Sequence, residues 1–318
     1  MTAMIEIDGL AKRFGPLVAV DNVSFAVAQG EVLGFLGPNG AGKSTTMKMA
    51  TGFIPPDRGT VRICGFDILD APIDAKANLG YLPEGAPAYG DMTPRAFLAF
   101  CAEARGYSGF ERDRRVEFAA ERVEIGDVLD QQIETLSKGF KRRVGIAQAI
   151  LHDPPVLIMD EPTDGLDPNQ KHEVRTLIRA MAEKKAIVIS THILEEVEQV
   201  CSRAIVIAAG RIVADGTPAE LAQRSRYHNA VTISIFDGPE AARAKDDLAK
   251  VPGVEAIEPA LGRKGIVSWT VLPKGGAPLL DAVSAVARNA IWEVEELKVE
   301  AGRLDEVFRN VTIGAGRS

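Results

Sequence analysis

The stretch "GPNGAGKST", Gly37 to Thr45, decides how the rest of this 318-residue chain is read. Gly37 to Ser44 matches the phosphate-loop spacing G-x-x-x-x-G-K-[ST] in full, and its flanks supply the context that this spacing requires. "EVLGFLG" before it reads as a buried strand entering a glycine turn. "STTMKMATGF" after it reads as a helix, stopped by Gly52 and by Pro55-Pro56. Gly37, Gly40 and Gly42, with Pro38, Asn39 and Ala41 between them, let backbone N–H groups turn inward around phosphates with no Cβ in the way. Lys43 is placed to reach β- and γ-phosphates, and the Ser44 hydroxyl to ligand Mg²⁺. The helix start, with Thr45 in its first turn, adds a partial positive charge. An ordinary glycine-rich turn is the alternative, and the strand before and helix after argue against it.

Downstream, "VLIMDEP" (Val156–Pro162) is an apolar run that ends in two acids. Asp160 would emerge at the C-terminal edge of a buried strand, where ligands bind in open α/β sheets, and would hold Mg²⁺ through its water shell. Glu161 follows at once and is expected to point elsewhere, because strand side chains alternate. It is the candidate to polarise an attacking water. These features give a phosphate-loop nucleotidase, with kinases, GTPases and helicases all open.

The first ~220 residues alternate strand-like and helix-like patterns, which predicts an α/β domain with a largely parallel sheet. "AIVIS" reads as a second central strand, and "AIVIAAGRIVADG" as an edge hairpin turning at Gly210. From about Glu84 to Asp153 the chain is charged and helix-forming, a helical insertion. Within it, "TPRAFLAFCAEARG" puts Phe97, Phe100 and Cys101 on one helical face. From about Tyr227 a β-α-β-β-α-β order begins again, as in ferredoxin-like domains.

Composition narrows the class. The 46% hydrophobic and 25% charged content is that of a globular protein, and the net charge of −7 argues against a general nucleic-acid coat. Cys64, Cys101 and Cys201 show no metal spacing with the four histidines and read as packed, reduced thiols. The opening "MTAMIEIDGL" reads as a short alternating strand rather than a secretion signal. Apolar runs such as Val156–Met159 are too short to span a bilayer, so work at a membrane would go through a partner.

The order of motifs then carries a resemblance. Gly37–Ser44 is followed by "GYLPE", "LSKGF" (Leu136–Phe140), "VLIMDEP", "GLDP" (Gly165–Pro168) and "STH" ending at His192. The chain resembles the nucleotide-binding subunit of ATP-binding cassette (ABC) transporters. That resemblance implies a P-loop NTPase cassette over residues 1–222: a RecA-like core, an antiparallel β subdomain and a helical subdomain at about 84–153. A small ferredoxin-like α+β domain would follow at 227–318. It implies ATP and Mg²⁺ as ligands and a head-to-tail dimer, in which Ser137 and the Gly139 N–H of one copy hydrogen-bond the γ-phosphate held by the other. Asp167 would contact the opposing copy, and His192 would hydrogen-bond the γ-phosphate. Phe14, 23 residues before Gly37, lies where the family stacks an aromatic ring on adenine; a buried-core phenylalanine is the alternative. Lys141, Arg142 and Arg143 read as a solvated basic face.

Glu84 stands where most of the family has glutamine, a metal- and water-contacting position. Its carboxylate is still a hard ligand for Mg²⁺ but adds negative charge near the γ-phosphate. Lys138 and Phe140 replace the usual signature glycine and glutamine. "SKGF", "EPTDGLDP" and "LDEVFRNVT" resemble the ABC-2-type exporter branch, including drug, polysaccharide and gliding-motility ATPases. The expected role is the ATP-hydrolysing subunit of an exporter, peripheral on the cytoplasmic side and driving a multi-span permease. A soluble translation or DNA-repair ATPase is the alternative. Against it stand the single cassette and the lack of a coiled coil.

Overall fold

The computed structural model describes residues 3–85, 88–239 and 241–315. The chain opens with two long strands, β1 (Ala3–Phe14) and β2 (Leu17–Ala28), then β3 (Val32–Leu36) and helix α1 (Lys43–Ala50). β4 (Arg58–Ile63), β5 (Phe66–Asp67), α2 (Pro72–Ala77) and β6 (Leu79–Leu82) follow. Three helices come next: α3 (Pro94–Ala104), α4 (Gly109–Arg122) and α5 (Lys138–Ile150). Then β7 (Val156–Asp160), α6 (Pro168–Ala182), β8 (Ala186–Thr191), α7 (Leu194–Val200), β9 (Arg203–Ala208) and β10 (Arg211–Gly216) complete the first series. The remainder is α8 (Pro218–Ala222), β11 (Val231–Phe236), α9 (Ala241–Ala249), β12 (Val254–Pro259), β13 (Ile266–Pro273), α10 (Leu280–Asn289), β14 (Val294–Val299) and α11 (Leu304–Ala315).

These elements fall into two compact units, Met1–Asp215 with the chain from Val311, and Gly216–Asn310. In the first, a six-stranded sheet has the order β10-β9-β3-β8-β7-β6, and β3 runs parallel to both β8 and β9. Every residue of β3, β7 and β8 is buried, as branched apolar strands covered on both faces must be. The parallel alignment brings the C-terminal ends of β3, β7 and β8 to one edge. A second sheet, β2-β1-β4-β5, is antiparallel and more polar outward, with alternating burial along β2. One apolar core joins both sheets through α1, with Ile5, Val23, Phe35, Met47, Ile158 and Ile205 among its members. Between β6 and β7 every regular element among the described residues is helical. The edge hairpin lies where it was expected, around Gly210, whereas β1 is a twelve-residue strand rather than a short one.

In the second unit the sheet order is β12-β13-β11-β14, and each neighbouring pair runs antiparallel. Val231, Ile233, Ile235 and Val271 pack against Ala244 and Leu248 of α9 and Val283 and Ala287 of α10. The opposite face pairs hydroxyls across strands, Ser234 with Ser268 at 2.8 Å and Thr232 with Thr270 at 3.1 Å. This unit begins at Gly216, earlier than the boundary read at 222–227. Residues after β10 are tied downstream: Ser225 Oγ donates to Glu306 at 2.6 Å, and Arg226 N–H to the same carboxylate at 3.1 Å. Such side-chain ties have no local sequence signal.

Candidate nucleotide site

At the end of β3 the chain turns through Gly37–Gly42 into α1. Gly42 has φ 107°, and a Cβ there would lie 2.4 Å from the Ala19 carbonyl oxygen. Only glycine fits, so the turn that opens the helix is sterically specified. No side chain caps α1 and no acid sits in its first turn, which leaves its leading N–H groups for an anion. Lys43 is 6% exposed. Its Nζ donates to the carbonyls of Gly37 at 2.7 Å and Pro38 at 3.2 Å, so the loop curls around its own ammonium. Burial lowers the Lys43 pKa, and the charges of Glu161, Asp160 and Glu84 oppose that shift.

Those three carboxylates form the other side of the site. Asp160 ends β7 and is fully buried; its Oδ1 accepts from Ser190 Oγ, and its Oδ2 has no partner among the described residues. Glu161 lies just past the strand with φ 51°, a left-handed conformation that is uncommon for a side-chain-bearing residue. Strand alternation therefore does not aim Glu161, contrary to expectation; the left-handed kink does. Ser190 fixes that kink by accepting the Glu161 N–H at its carbonyl, 3.0 Å, and at Oγ, 3.3 Å. Glu161 Oε2 meets His192 Nδ1 at 2.7 Å and Oε1 lies 3.9 Å from Lys43 Nζ. Burial raises the Glu161 pKa, partly offset by His192 and Lys43, which suits a proton acceptor.

A cavity of about 390 Å³ gathers Phe14, Asn39, Gly40, Gly42, Lys43, Ser44, Thr45, Glu84 and Glu161. Gly37 and Pro38 contribute the carbonyls that hold Lys43, and Ala41 is buried behind the loop. Phe14 is 49% exposed, so the buried-core reading of this residue is set aside. Ser137, Gly139 and Asp167 do not line the cavity. They sit together elsewhere on the unit: Ser137 caps α5 by accepting the Phe140 N–H at 3.3 Å, and Asp167 caps α6 by accepting the Gln170 N–H at 2.9 Å. A Cβ on Gly139 would lie 2.6 Å from the Gln170 side chain, so the two helix starts pack directly.

Two supports escaped the sequence reading. Glu196, 4% exposed on α7, accepts from Thr191 Oγ1 at 2.7 Å and from Thr163 Oγ1, joining the turn after Glu161 to the turn that carries His192. In "ILEEVEQV" it looks like a helix-surface acid. The basic run after Ser137 is not a solvated face either. Lys141 Nζ donates to the Glu134 carbonyl, Arg143 forks between Glu124 and Glu173, and Arg142 is 6% exposed. Helical periodicity sends adjacent cations in different directions, and a charge run in one line of text hides this.

Glu84 also borders a second hollow, of about 940 Å³, lined by Phe53, Tyr81, Tyr89, Phe97, Phe100 and Cys101. Tyr89 meets Phe97 and Phe100 edge-on, at 6.2 and 6.0 Å between ring centroids. The α3 face read from the sequence is one wall of this groove. Phe53 is 72% exposed, an unusual concentration of open aromatic surface. All three cysteines are free, and no helix among the described residues is long and apolar enough to cross a membrane.

Comparison with known proteins agrees with this geometry. The ABC transporter family profile matches residues 20–164. The chain is 40% identical over 257 residues to Nod factor export ATP-binding protein I of Paraburkholderia xenovorans (strain LB400), covering 80% of this chain and 83% of that protein. It is 35% identical to the probable multidrug ABC transporter ATP-binding protein YbhF of Escherichia coli (strain K12), over 70% of this chain and 38% of that one. A solved ATP-binding subunit of an ABC transporter superposes with a TM-score of 0.63 at 32% identity, covering 70% of this chain and 92% of its own.

Proposed function

The chain belongs to the ATP-binding, ATP-hydrolysing proteins of ABC transporters, and from that premise we propose that it works as a head-to-tail dimer driving a separate exporter permease. The observation that carries the proposal is the split of the machinery. Phe14, the phosphate loop, Glu84 and Glu161 share one cavity, while Ser137 and Asp167 are exposed outside it, at two helix starts packed through buried Gly139. A second copy, turned about, places its capped α5 start over the γ-phosphate, where the first-turn N–H groups have no intrahelical acceptor. Each charge-assisted bond so formed is worth about 1.5–3 kcal/mol. Loss of the γ-phosphate removes them, which converts hydrolysis into opening.

In this reading Phe14 stacks on adenine, Lys43 holds the β- and γ-phosphates, and Glu161 takes the proton of the attacking water. His192, held by Glu161 through Nδ1, keeps Nε2 for the γ-phosphate. The donor set suits Mg²⁺: the Ser44 hydroxyl, Glu84 and the unpartnered oxygen of buried Asp160 are hard oxygen ligands. Mg²⁺ would neutralise charge on the transferring phosphoryl group.

Glu84 borders both the nucleotide cavity and the aromatic groove, which supports docking of the permease in that groove and coupling through Glu84. The chain then sits on the cytoplasmic side of the membrane through its partner. A relative named for Nod factor export and one named for multidrug transport support the ABC-2 exporter branch. The β-α-β-β-α-β order and the strand order β12-β13-β11-β14 support a ferredoxin-like accessory domain after the cassette. The test is Glu161→Gln with ATP: its mass by light scattering should double with ATP and stay single with ADP. A monomer under both conditions would overturn the dimer.

A further inference from the structure

The four-stranded sheet of the second unit ends in two edges, β12 and β14, and they are not alike. β12 carries Glu255 and Glu258 and no cation, and it finishes at Pro259, which has no N–H to offer a further strand. β14 reads "VELKV" with a second glutamate after the first, Val294-Glu295-Glu296-Leu297-Lys298-Val299, and all of it except half-buried Leu297 is exposed. Val294 and Val299 are open apolar residues, and Ile291 just before the strand is 82% exposed. An edge of this kind is a template for one more strand.

Hydrogen bonding fixes which of its groups are free. Glu300 N–H donates to the Ala230 carbonyl at 2.8 Å, and the Glu300 carbonyl accepts from Asn229 N–H at 3.0 Å, so the Glu300 backbone faces β11. By alternation so do Lys298 and Glu296, which lie opposite Thr232 and Ser234. The N–H and C=O groups of Leu297 and Val299 then point the other way, off the end of the sheet. Cross-strand neighbours share a face, so the Glu296 and Lys298 side chains stand on the hydroxyl face of Thr232 and Ser234. Neither side chain makes a hydrogen bond or close ion pair among the described residues.

A second copy of the same edge matches this row. An antiparallel copy related by a two-fold axis at Leu297 sets the Leu297 N–H and C=O against those of its mate. Glu296 then faces Lys298 of the other copy, and Lys298 faces Glu296, at the close positions between hydrogen-bonded pairs. Moving the axis one residue either way sets Glu296 against Glu296 or Lys298 against Lys298. An axis between two residues fails, because it sets an outward-facing backbone group against an inward-facing one. Charge and hydrogen-bonding direction therefore select the same axis.

We propose that β14 is a self-pairing edge, through which the second units of two chains join into one continuous antiparallel sheet. No nucleotide takes part. The edge is short, and the ladder is irregular between Ser234 and Ile235, so the contact falls below the standard interface size. Its Kd is expected on the order of 10⁻⁴ M, which leaves the chain dissociated at micromolar concentration. Such an association raises the local concentration of one chain around another.

Sedimentation equilibrium of the full chain in ADP, at concentrations spanning that Kd, is the test; ADP keeps the nucleotide-driven pair proposed above open. The parent should show a monomer–dimer equilibrium. Glu296→Lys and Lys298→Glu each turn two attractive pairs into two like-charge pairs, and each should weaken it at least about tenfold. The Glu296→Lys/Lys298→Glu double variant should return to within about threefold of the parent. An equimolar mixture of the two single variants should do the same, because the charges of one complement those of the other. A parent that stays monomeric throughout, or a dimer that the single variants leave unchanged, overturns the proposal. So does a loss that neither the double variant nor the mixture recovers. A Glu161→Gln chain that stays monomeric in ATP would remove the nucleotide-driven pair and not this edge.

Discussion

The phosphate-loop pocket and the face carrying Ser137 belong to one unit, but their polar groups are spent differently. In the pocket the side chains hold each other: Lys43 is wrapped by the carbonyls of Gly37 and Pro38, Asp160 by Ser190, and Glu161 by His192. Around it Thr163, Glu196 and Thr191 brace the turns from behind. The Ser137 face is a pair of capped helix starts, α5 and α6, packed through Gly139 and Gln170. It forms no part of the cavity. In the proposed reading the first region does the chemistry and the second is presented to another copy of the chain. Substitutions in the two should therefore fail in different ways.

The sharpest contrast comes from Glu161→Gln, expected to lower kcat by ~10²–10⁴ while ATP affinity is kept, since only the proton acceptor is lost. Steady-state turnover and equilibrium binding, measured together, check it; full turnover would take Glu161 out of that role. Next, Ser137→Arg should lower kcat by about 10²-fold, the worth of one or two charge-assisted bonds. Nucleotide affinity of the isolated chain should not change, because Ser137 lies outside the cavity. If nucleotide binding falls as well, the two regions are not separate.

Glu84→Gln should have a smaller effect that depends on the metal. Removing one negative charge should tighten ATP binding several-fold in EDTA, and less at saturating Mg²⁺. Equal effects at all Mg²⁺ levels would contradict the placement of Glu84 at the γ-phosphate end. A control outside the nucleotide cavity is His152, whose Nε2 meets the Leu79 carbonyl at 3.1 Å. Burial, chiefly, pushes its pKa down to about 3. The unfolded chain therefore takes up the proton first. Stability from this group is intact above about pH 6.5 and is lost as pH falls below it. Between pH 6.5 and 5 the parent should lose about 2 kcal/mol that His152→Asn does not lose, read from urea unfolding at each pH. Turnover at pH 7.5 should be the same in both.

How much of this was written in the sequence depends on the range of the interaction. The phosphate loop, β7 ending in Asp160, and the hairpin at Gly210 follow from spacing and periodicity within about fifteen residues, and they lie where they were read. The left-handed Glu161 escaped because its geometry comes from Ser190, 29 residues away on a neighbouring strand. Arg142 and Glu196 escaped for the same reason: each looks like surface charge on its own helix, and only packing against other elements buries it. The ties of Ser225 and Arg226 to Glu306, far along the chain, have no local pattern for the same reason.

The central claim is that a working site takes its parts from two copies of the chain, and specific ATPase activity against protein concentration tests it most directly. Activity per chain should rise with concentration and level off once the pair is formed, with Ser137→Arg flat and low throughout. A per-chain rate that is already maximal where sedimentation shows only monomer, and is unaltered by Ser137→Arg, would contradict it.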